Sequence, residues 1–283
     1  MRSMAMKTSF AFLSALVLIV GCAQAEPTRN GRMSNASADA APAAPAGEPP
    51  SAASEKQGEI ELLRRAEAAA DEVDTLRARL RYDRVQGLLG DQQRRFGALL
   101  YDAGGEKRAP RFAVRLTRLL VDGKPREIDK RYVYDGRWLA EIDGEDKTFI
   151  RRELVPEGER GRLLEMGEGP FALPLNMKVE AVRQRFRVED VTAEAENDQP
   201  TLTLTPREGY DVGLDQITIA YDAETMLPTT ATTVEDAAAG ELSVLRLFDT
   251  QTGVEIADDL FDTTPPEGDG WDVQVVEIAE GDE

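Results

Sequence analysis

Histidine is absent from this chain, and cysteine occurs once, at Cys22, in 283 residues. Without imidazole there is no ordinary general base near neutral pH, and no Ser-His-Asp or Cys-His arrangement. Zinc sites draw on Cys and His, so a zinc enzyme lacks its ligands. One cysteine permits no internal disulfide. Basic charge is scarce too: 34 Lys and Arg stand against 53 Asp and Glu, a net charge of −19. Nucleic-acid binding wants a basic face, so this balance argues against it. No P-loop pattern occurs, and no G-x-G-x-x-G follows a strand. Catalysis by carboxylates, for example a pair such as Glu141 and Asp143, or by Lys, Ser or Tyr stays open, but no motif marks it. The expectation is a non-enzymatic protein with no cofactor, no metal site and no nucleic-acid partner.

Long apolar runs are also few. The clearest, Phe10 to Val20, follows Arg2 and Lys7. Eleven helical residues span roughly 16 Å, about half of a bilayer's hydrocarbon core. That is short for a transmembrane helix and right for the apolar part of a signal peptide. The run ends in Leu18-Ile19-Val20-Gly21-Cys22, which resembles the lipobox of bacterial lipoproteins. The resemblance implies a diacylglycerol on the Cys22 thiol and cleavage just before it. Two or three acyl chains anchor stably where one does not. The alternative is an export signal cut after Ala23 or Ala25, since Ala23-Gln24-Ala25 has the A-x-A form.

Beyond Cys22 the sequence is rich in Ala, Pro, Ser and Gly as far as Gly58. Such a stretch cannot bury a core and reads as a tether. The 36 residues from Ala23 to Gly58 span roughly 30–35 Å as a flexible coil. From Glu59 the pattern changes. Leu62, Ala66, Ala69, Val73, Leu76 and Leu80 form an apolar stripe at helical spacing. The stripe fits a helix packed on its own domain, or a short coiled-coil seam.

After Tyr82 the chain reads mainly as β. Asp122-Gly123, Asp135-Gly136 and Asp143-Gly144 separate strand-like runs at 112–121, 128–134, 137–142 and 147–154. Asp-Gly between such runs is a hairpin signal. A first strand is expected over 96–102. A break rich in Gly and Pro follows from Gly161 to Val182, with one short helix before the glycines and another around Asn176 to Arg183. Strands resume at 185–191, 201–205, 214–221, 227–234 and 242–248. Thr201-Leu202-Thr203-Leu204-Thr205 alternates with period two, which predicts one buried and one wet face. From Glu267 to Glu283 there are seven acids and no Lys or Arg. The spacing does not match an EF-hand loop, so a solvated acidic tail is expected.

The order of these elements resembles the LolA/LolB family of periplasmic carriers and outer-membrane receptors for bacterial lipoproteins. The likeness runs over 59–276. Lys107-Arg108-Ala109-Pro110-Arg111-Phe112 resembles the family's basic-Pro-x-Phe segment, with Ala109 as an extra residue. Tyr134-Asp135-Gly136-Arg137-Trp138-Leu139 resembles its Asp-Gly-x-x-Leu-Trp hairpin, with Trp displaced by one. Leu202-Thr203-Leu204-Thr205-Pro206-Arg207 resembles its L-x-L-x-P strand, and Phe261 to Gly268 its terminal Pro-Pro-x-Gly signature.

The resemblance implies a mainly β fold with some α: a curved, incomplete antiparallel barrel of ten or eleven strands, with helices covering the open side. It also implies an apolar cavity for acyl chains of lipoproteins or lipids, carried or received in the envelope. Candidate wall and lid residues are Phe96, Leu100, Phe112, Leu116, Val133, Trp138, Leu173, Leu175 and Met177. An arginine before the first-sheet proline holds the lid in the soluble carrier. That role maps to Arg108, or to Arg111 or Arg115 if Ala109 shifts the parity. Plain core packing for the apolar residues, and solvated strand edges for the arginines, are the competing readings. The expected organisation is a signal peptide at 1–21, an anchored linker at 22–58, the half-barrel at 59–276 and an acidic tail at 277–283. The expected place is the cell envelope, lipid-anchored and facing the periplasm, with the outer membrane favoured. The alternative role is an envelope sensor or interaction module with a protein partner, as in the related RseB-like proteins.

Overall fold

The computed structural model describes residues 52–87, 90–106, 108–121, 123–159, 171, 174–175, 177–192, 198–210 and 212–278. Cys22, most of the tether, Leu88 and Leu89, the expected helix before the glycines, Leu173 and the last five residues lie outside them.

Helix α1 (Ala52–Asp71) comes first. Strands β1 (Thr75–Gln86), β2 (Asp91–Asp102), β3 (Arg111–Val121), β4 (Lys124–Tyr134), β5 (Trp138–Asp143) and β6 (Thr148–Glu153) then run as a meander. After α2 (Val179–Arg185) a second meander follows: β7 (Phe186–Asp190), β8 (Thr201–Pro206), β9 (Gln216–Tyr221), β10 (Pro228–Asp236) and β11 (Glu241–Thr252). Strand β12 (Asp272–Val276) closes the described chain. All twelve share one sheet in the order β12-β6-β5-β4-β3-β2-β1-β11-β10-β9-β8-β7. Every pairing is antiparallel except β12 with β6. The sheet does not close on itself: β12 and β7 are its edges. This is the incomplete barrel with helices that the sequence led us to expect, with twelve strands in place of ten or eleven.

The helical stripe needs a correction. Leu62, Leu63 and Ala66 are buried on α1, but the helix ends at Asp71. Leu76 and Leu80 belong to β1, where they alternate with exposed or half-buried Arg77, Arg79 and Arg81. A spacing of four fits a helix face and a strand face equally, and the intervening arginines are what mark the strand. The expected wet face of β8 is also different. Thr201 and Thr203 are as buried as Leu202 and Leu204. The Thr203 and Thr218 hydroxyls share a hydrogen bond at 3.0 Å, and Thr201 donates to the Gln199 carbonyl. The acidic end is not wholly a tail either, since Asp272–Val276 adds a strand to β6.

Curvature has a local cause. Register shifts fall between Arg77 and Arg79, Phe96 and Gly97, and Leu116 and Arg118, side by side on β1, β2 and β3. Bulges bend a strand and sharpen its twist. A side chain at Gly97 would meet the Arg115 carbonyl at 1.8 Å, so the approach of β3 here requires glycine.

The two faces of the sheet differ. The inner face carries Leu76, Leu80, Leu99, Phe112, Val114, Leu116 and Leu245 in one core. A second inner core lies under α1, with Leu62, Leu63 and Ala66 against Phe186, Leu202, Leu204, Ile217 and Ile219. Each fully buried Leu, Ile or Phe contributes roughly 1.5–3 kcal/mol. Phe171 reaches the inner face from the mid-chain break and stacks edge-on against Tyr82 and Tyr132 at 5.1 and 5.0 Å. On the outer face Ala113, Val133, Ala140, Ile142 and Phe149 are covered by Phe261, Ile256 and Trp271 of the C-terminal segment.

Ionisation sets the pH range of this fold. Burial alone would raise the Asp83 carboxyl, but hydrogen bonds and charges from Arg81 and Arg94 hold it below its ordinary value. The Arg137 and Arg111 guanidiniums do the same for Glu153 and Asp258. These contributions are complete above the usual carboxylate range of about 4 and fade as pH falls through the depressed values. Burial pushes the Tyr101 hydroxyl up to about 12, aided by Asp102, and raises Tyr82 and Tyr221. Their contributions are complete below about 10 and fade as pH rises. With no histidine between, the melting temperature should be flat from about pH 5 to about pH 9 and fall on either side. Thermal melts across that range check this, and a step between pH 6 and 7 would contradict it.

Candidate functional site

Much of the inner face is filled by its own side chains, and an apolar seam beside α1 is open. A cleft of about 360 Å³ lies where the middle of α1 meets α2, β7 and the end of β8. Ile60, Leu63 and Val188 make its apolar floor. Ile60 and Leu63 are three apart, which puts them on one side of α1. Arg183, Arg187 and Arg207 rim it, with Glu59. Arg207 is fixed in place: its Nε donates to the carbonyls of Arg183 at 2.9 Å and Phe186 at 3.0 Å, and its amide donates to that of Arg185. Arg183 and Arg187 are exposed. Among the described residues no ion pair engages Arg183, Arg187 or Arg207.

The volume falls in the range of small-molecule sites. An apolar floor beneath cationic donors suits an apolar chain with a polar or anionic end. The arrangement offers no chemistry on a bond. Among the described residues no three His, Cys, Asp or Glu are placed to hold a metal. The Glu141–Asp143 pair is engaged by Lys130, whose Nζ lies 2.9 Å from Glu141 and 3.9 Å from Asp143. Burial alone would lower the Lys130 pKa, and the bond to Glu141 with the neighbouring charges raises it. Lys130 therefore stays a cation and occupies both carboxylates.

The candidate wall residues do not converge on this cleft. Phe112, Leu116 and Leu175 are in the larger inner core, and Met177 in the core under α1. Phe96, Leu100, Val133 and Trp138 point to the outer face. There Phe96 lies under Arg118 at 4.3 Å and Trp138 under Arg151 at 4.1 Å, while Leu100 and Val133 pack near Phe261. Period-two reasoning identifies buried positions but not the face each one serves. The cleft residues were missed. Arg183, Arg185 and Arg187 at spacing two, and Arg207 directly after Pro206, were the signal that could have found them.

The lid arginines are placed with equal clarity. Arg111 is buried and donates to Asp102 at 2.9 and 3.1 Å and to Asp258. Arg108 donates to Asp102 at 2.7 Å. The Arg111 guanidinium also lies over Phe261 at 4.2 Å. Asp258 and Phe261 bound the short 3₁₀ turn of the C-terminal segment. These two arginines thus clamp that segment to the outer face at the end of β3. Arg115 is exposed, 3.9 Å from Asp129.

No family model matches the chain, and no curated protein does. Solved structures do. The chain is 16% identical to a chain of the Pseudomonas aeruginosa MucA/MucB complex, over 72% of its own length and 60% of that chain, with a TM-score of 0.39. It is 14% identical to an uncharacterized conserved protein from Thermus thermophilus, over 78% and 100%, with a TM-score of 0.42. It is 12% identical to a LolA superfamily protein from Nitrosomonas europaea, over 72% and 97%, with a TM-score of 0.36. Those names describe those proteins alone.

The Arg111 clamp makes a prediction. Breaking a buried pair by removing one partner costs about 3–5 kcal/mol, and R111M leaves Asp102 with Arg108 and the Gly104 amide. The variant should lose about that much stability and admit protease cuts between residues 254 and 271. Chemical denaturation and limited proteolysis check it, and a cleavage pattern like the parent's would contradict it.

Proposed function

We propose that this chain is a membrane-tethered envelope lipoprotein that takes acyl chains of lipoproteins or lipids between helix and sheet, for carriage or receipt. The observation that carries the reading is the cleft itself, an open apolar seam between helix and sheet with arginines at its mouth. Acyl chains need no directional contacts, and each buried CH₂ contributes about 0.8 kcal/mol. Six to eight such groups supply roughly 5–6 kcal/mol before the cost of immobilising the ligand. No proton transfer or nucleophile is required, in keeping with a chain that has no histidine. A lipid on Cys22 and a tether to Gly58 would keep the domain near one membrane, as in a receptor and unlike a diffusing shuttle.

A second reading, a non-enzymatic sensor or interaction module of the RseB-like kind, is favoured by one feature. Edge strand β12 leaves Val273, Val275 and Val276 exposed. Truncation after Gly270 separates the two readings, since acyl binding does not need that strand.

The test uses full-length protein purified from membranes. Its organic extract should contain lipid held without a covalent bond, and the extracted protein should take up a fluorescent fatty acid. Charged substitutions on the floor, I60D and V188D, should lower uptake by roughly tenfold or more, because a buried unpaired charge is strongly disfavoured. An extract without lipid, together with no uptake, would sink the proposal.

A further inference from the structure

The outer face of the sheet carries a charge pattern that the cleft does not explain. Cross-strand register lines up Phe248, Arg79, Ala98, Arg115 and Arg131 in one row across β11, β1, β2, β3 and β4. The next row is Arg246, Arg81, Phe96, Arg118 and Glu127. Two of these neighbours are arginines directly opposed, Arg81 to Arg246 and Arg115 to Arg131. Like charges set opposite each other destabilise a sheet. Asp83 and Asp129 offset part of this. Asp83 is buried and takes Arg81 at 2.5 Å, Arg94 at 2.9 Å and Arg246 at 3.2 Å, three guanidiniums on one carboxylate. Asp129 lies 3.6 Å from Arg131 and Asp249 pairs with Arg79 at 3.0 Å. With Arg94, seven arginines face four carboxylates, on a chain whose net charge is −19.

The patch is also exposed and amphipathic. The side chains of Arg79 and Arg115 are 77% and 65% exposed. Phe248 is 44% exposed, and Phe96 lies beneath the Arg118 guanidinium at 4.3 Å. Five strands at about 4.8 Å spacing make a surface roughly 19 Å wide. The cleft at Arg183, Arg187 and Arg207 is elsewhere, and this face is broad where that site is concave.

We propose that this face rests on an anionic lipid bilayer. Arginine forks bind phosphate headgroups, and flanking phenylalanines enter the headgroup boundary. The overall negative charge does not prevent this. Charges more than about 8 Å from the contact are screened at physiological salt, so the local surplus governs. The proposal is independent of acyl binding in the cleft, and either can fail alone. It would set the orientation of the domain, with the outer face toward the membrane and the inner face with its helices away from it.

The test uses residues 22–283 with C22S, which removes the lipid and the signal segment and keeps the whole compact unit of 49–283. Co-sedimentation is measured with vesicles of phosphatidylcholine containing about one third phosphatidylglycerol, and with phosphatidylcholine alone. The protein should bind the anionic vesicles only, and release at about 1 M salt, where the Debye length is about 3 Å. R79Q/R115Q/R118Q should weaken binding on the order of a hundredfold, from about fivefold per charge near the surface. R79K/R115K/R118K keeps the charge but not the forks, and should bind between the parent and the glutamine variant. R64Q/R152Q/K178Q makes the same change in net charge elsewhere and should leave binding unchanged. Equal binding to neutral vesicles, glutamine variants that bind like the parent, or binding to a soluble polyanion with none to vesicles would each overturn the proposal. The salt and vesicle comparisons need no variant, so a folding defect in one cannot shelter it.

Discussion

Strand β1 against β11 is the pairing on which everything else here rests. Among the described residues it is the pairing that joins the two meanders, β1 to β6 on one side and β7 to β11 on the other. Partners such as Leu80 and Leu247, or Tyr82 and Leu245, are more than 160 residues apart in sequence. Closing so long a loop carries an entropic cost that local hairpins do not, and it makes folding slow relative to helical proteins. Once formed, the seam runs the inner core across from Leu76 and Leu80 to Leu245 and Leu247. It also brings Arg81 and Asp83 beside Arg246 on the outer face. Both the packed inner surface and the arginine rows depend on it.

The hairpins of the first meander were legible because their turns are chemically marked. Asp135 shows why such marks are reliable. Its Oδ1 accepts from the amides of Arg137 and Trp138, and its Oδ2 accepts from the Thr263 hydroxyl, so one carboxylate shapes the turn and docks the C-terminal segment. β1 looks helical in the sequence because Leu76 and Leu80 continue a spacing that both periods share, while Arg77 and Arg79 alternate between them. β12 was hidden by composition: it is five residues, three of them Val, set among acids and all exposed, and its parallel partner β6 makes it a strand.

The site was less legible than the fold. Phe96 and Phe112 are both aromatic strand residues, yet one faces the outer arginines and the other the inner core. Nothing within β2 or β3 alone sets that choice. It follows from the register with neighbouring strands, which sets Phe96 opposite Arg81 and Phe112 opposite Tyr101, and from which face α1 covers. The cleft is a product of three distant segments, at residues 59–63, 183–188 and 207. Arg207 joins two of them by bonding backbone carbonyls of Arg183 and Phe186, a contact no local pattern announces. Arg111, expected at a lid, instead fastens the C-terminal turn because Asp102 and Asp258 stand beside it.

The central claim is that an acyl chain lies on Ile60, Leu63 and Val188 under the arginine rim. A photoreactive fatty acid cross-linked to the full-length protein, with the adducts located by peptide mass spectrometry, tests it most directly. Adducts within 59–63 and 183–188 that disappear when unlabelled fatty acid is in excess are the predicted result. Adducts confined to the outer face around Phe248, or adducts that excess fatty acid does not displace, would contradict it.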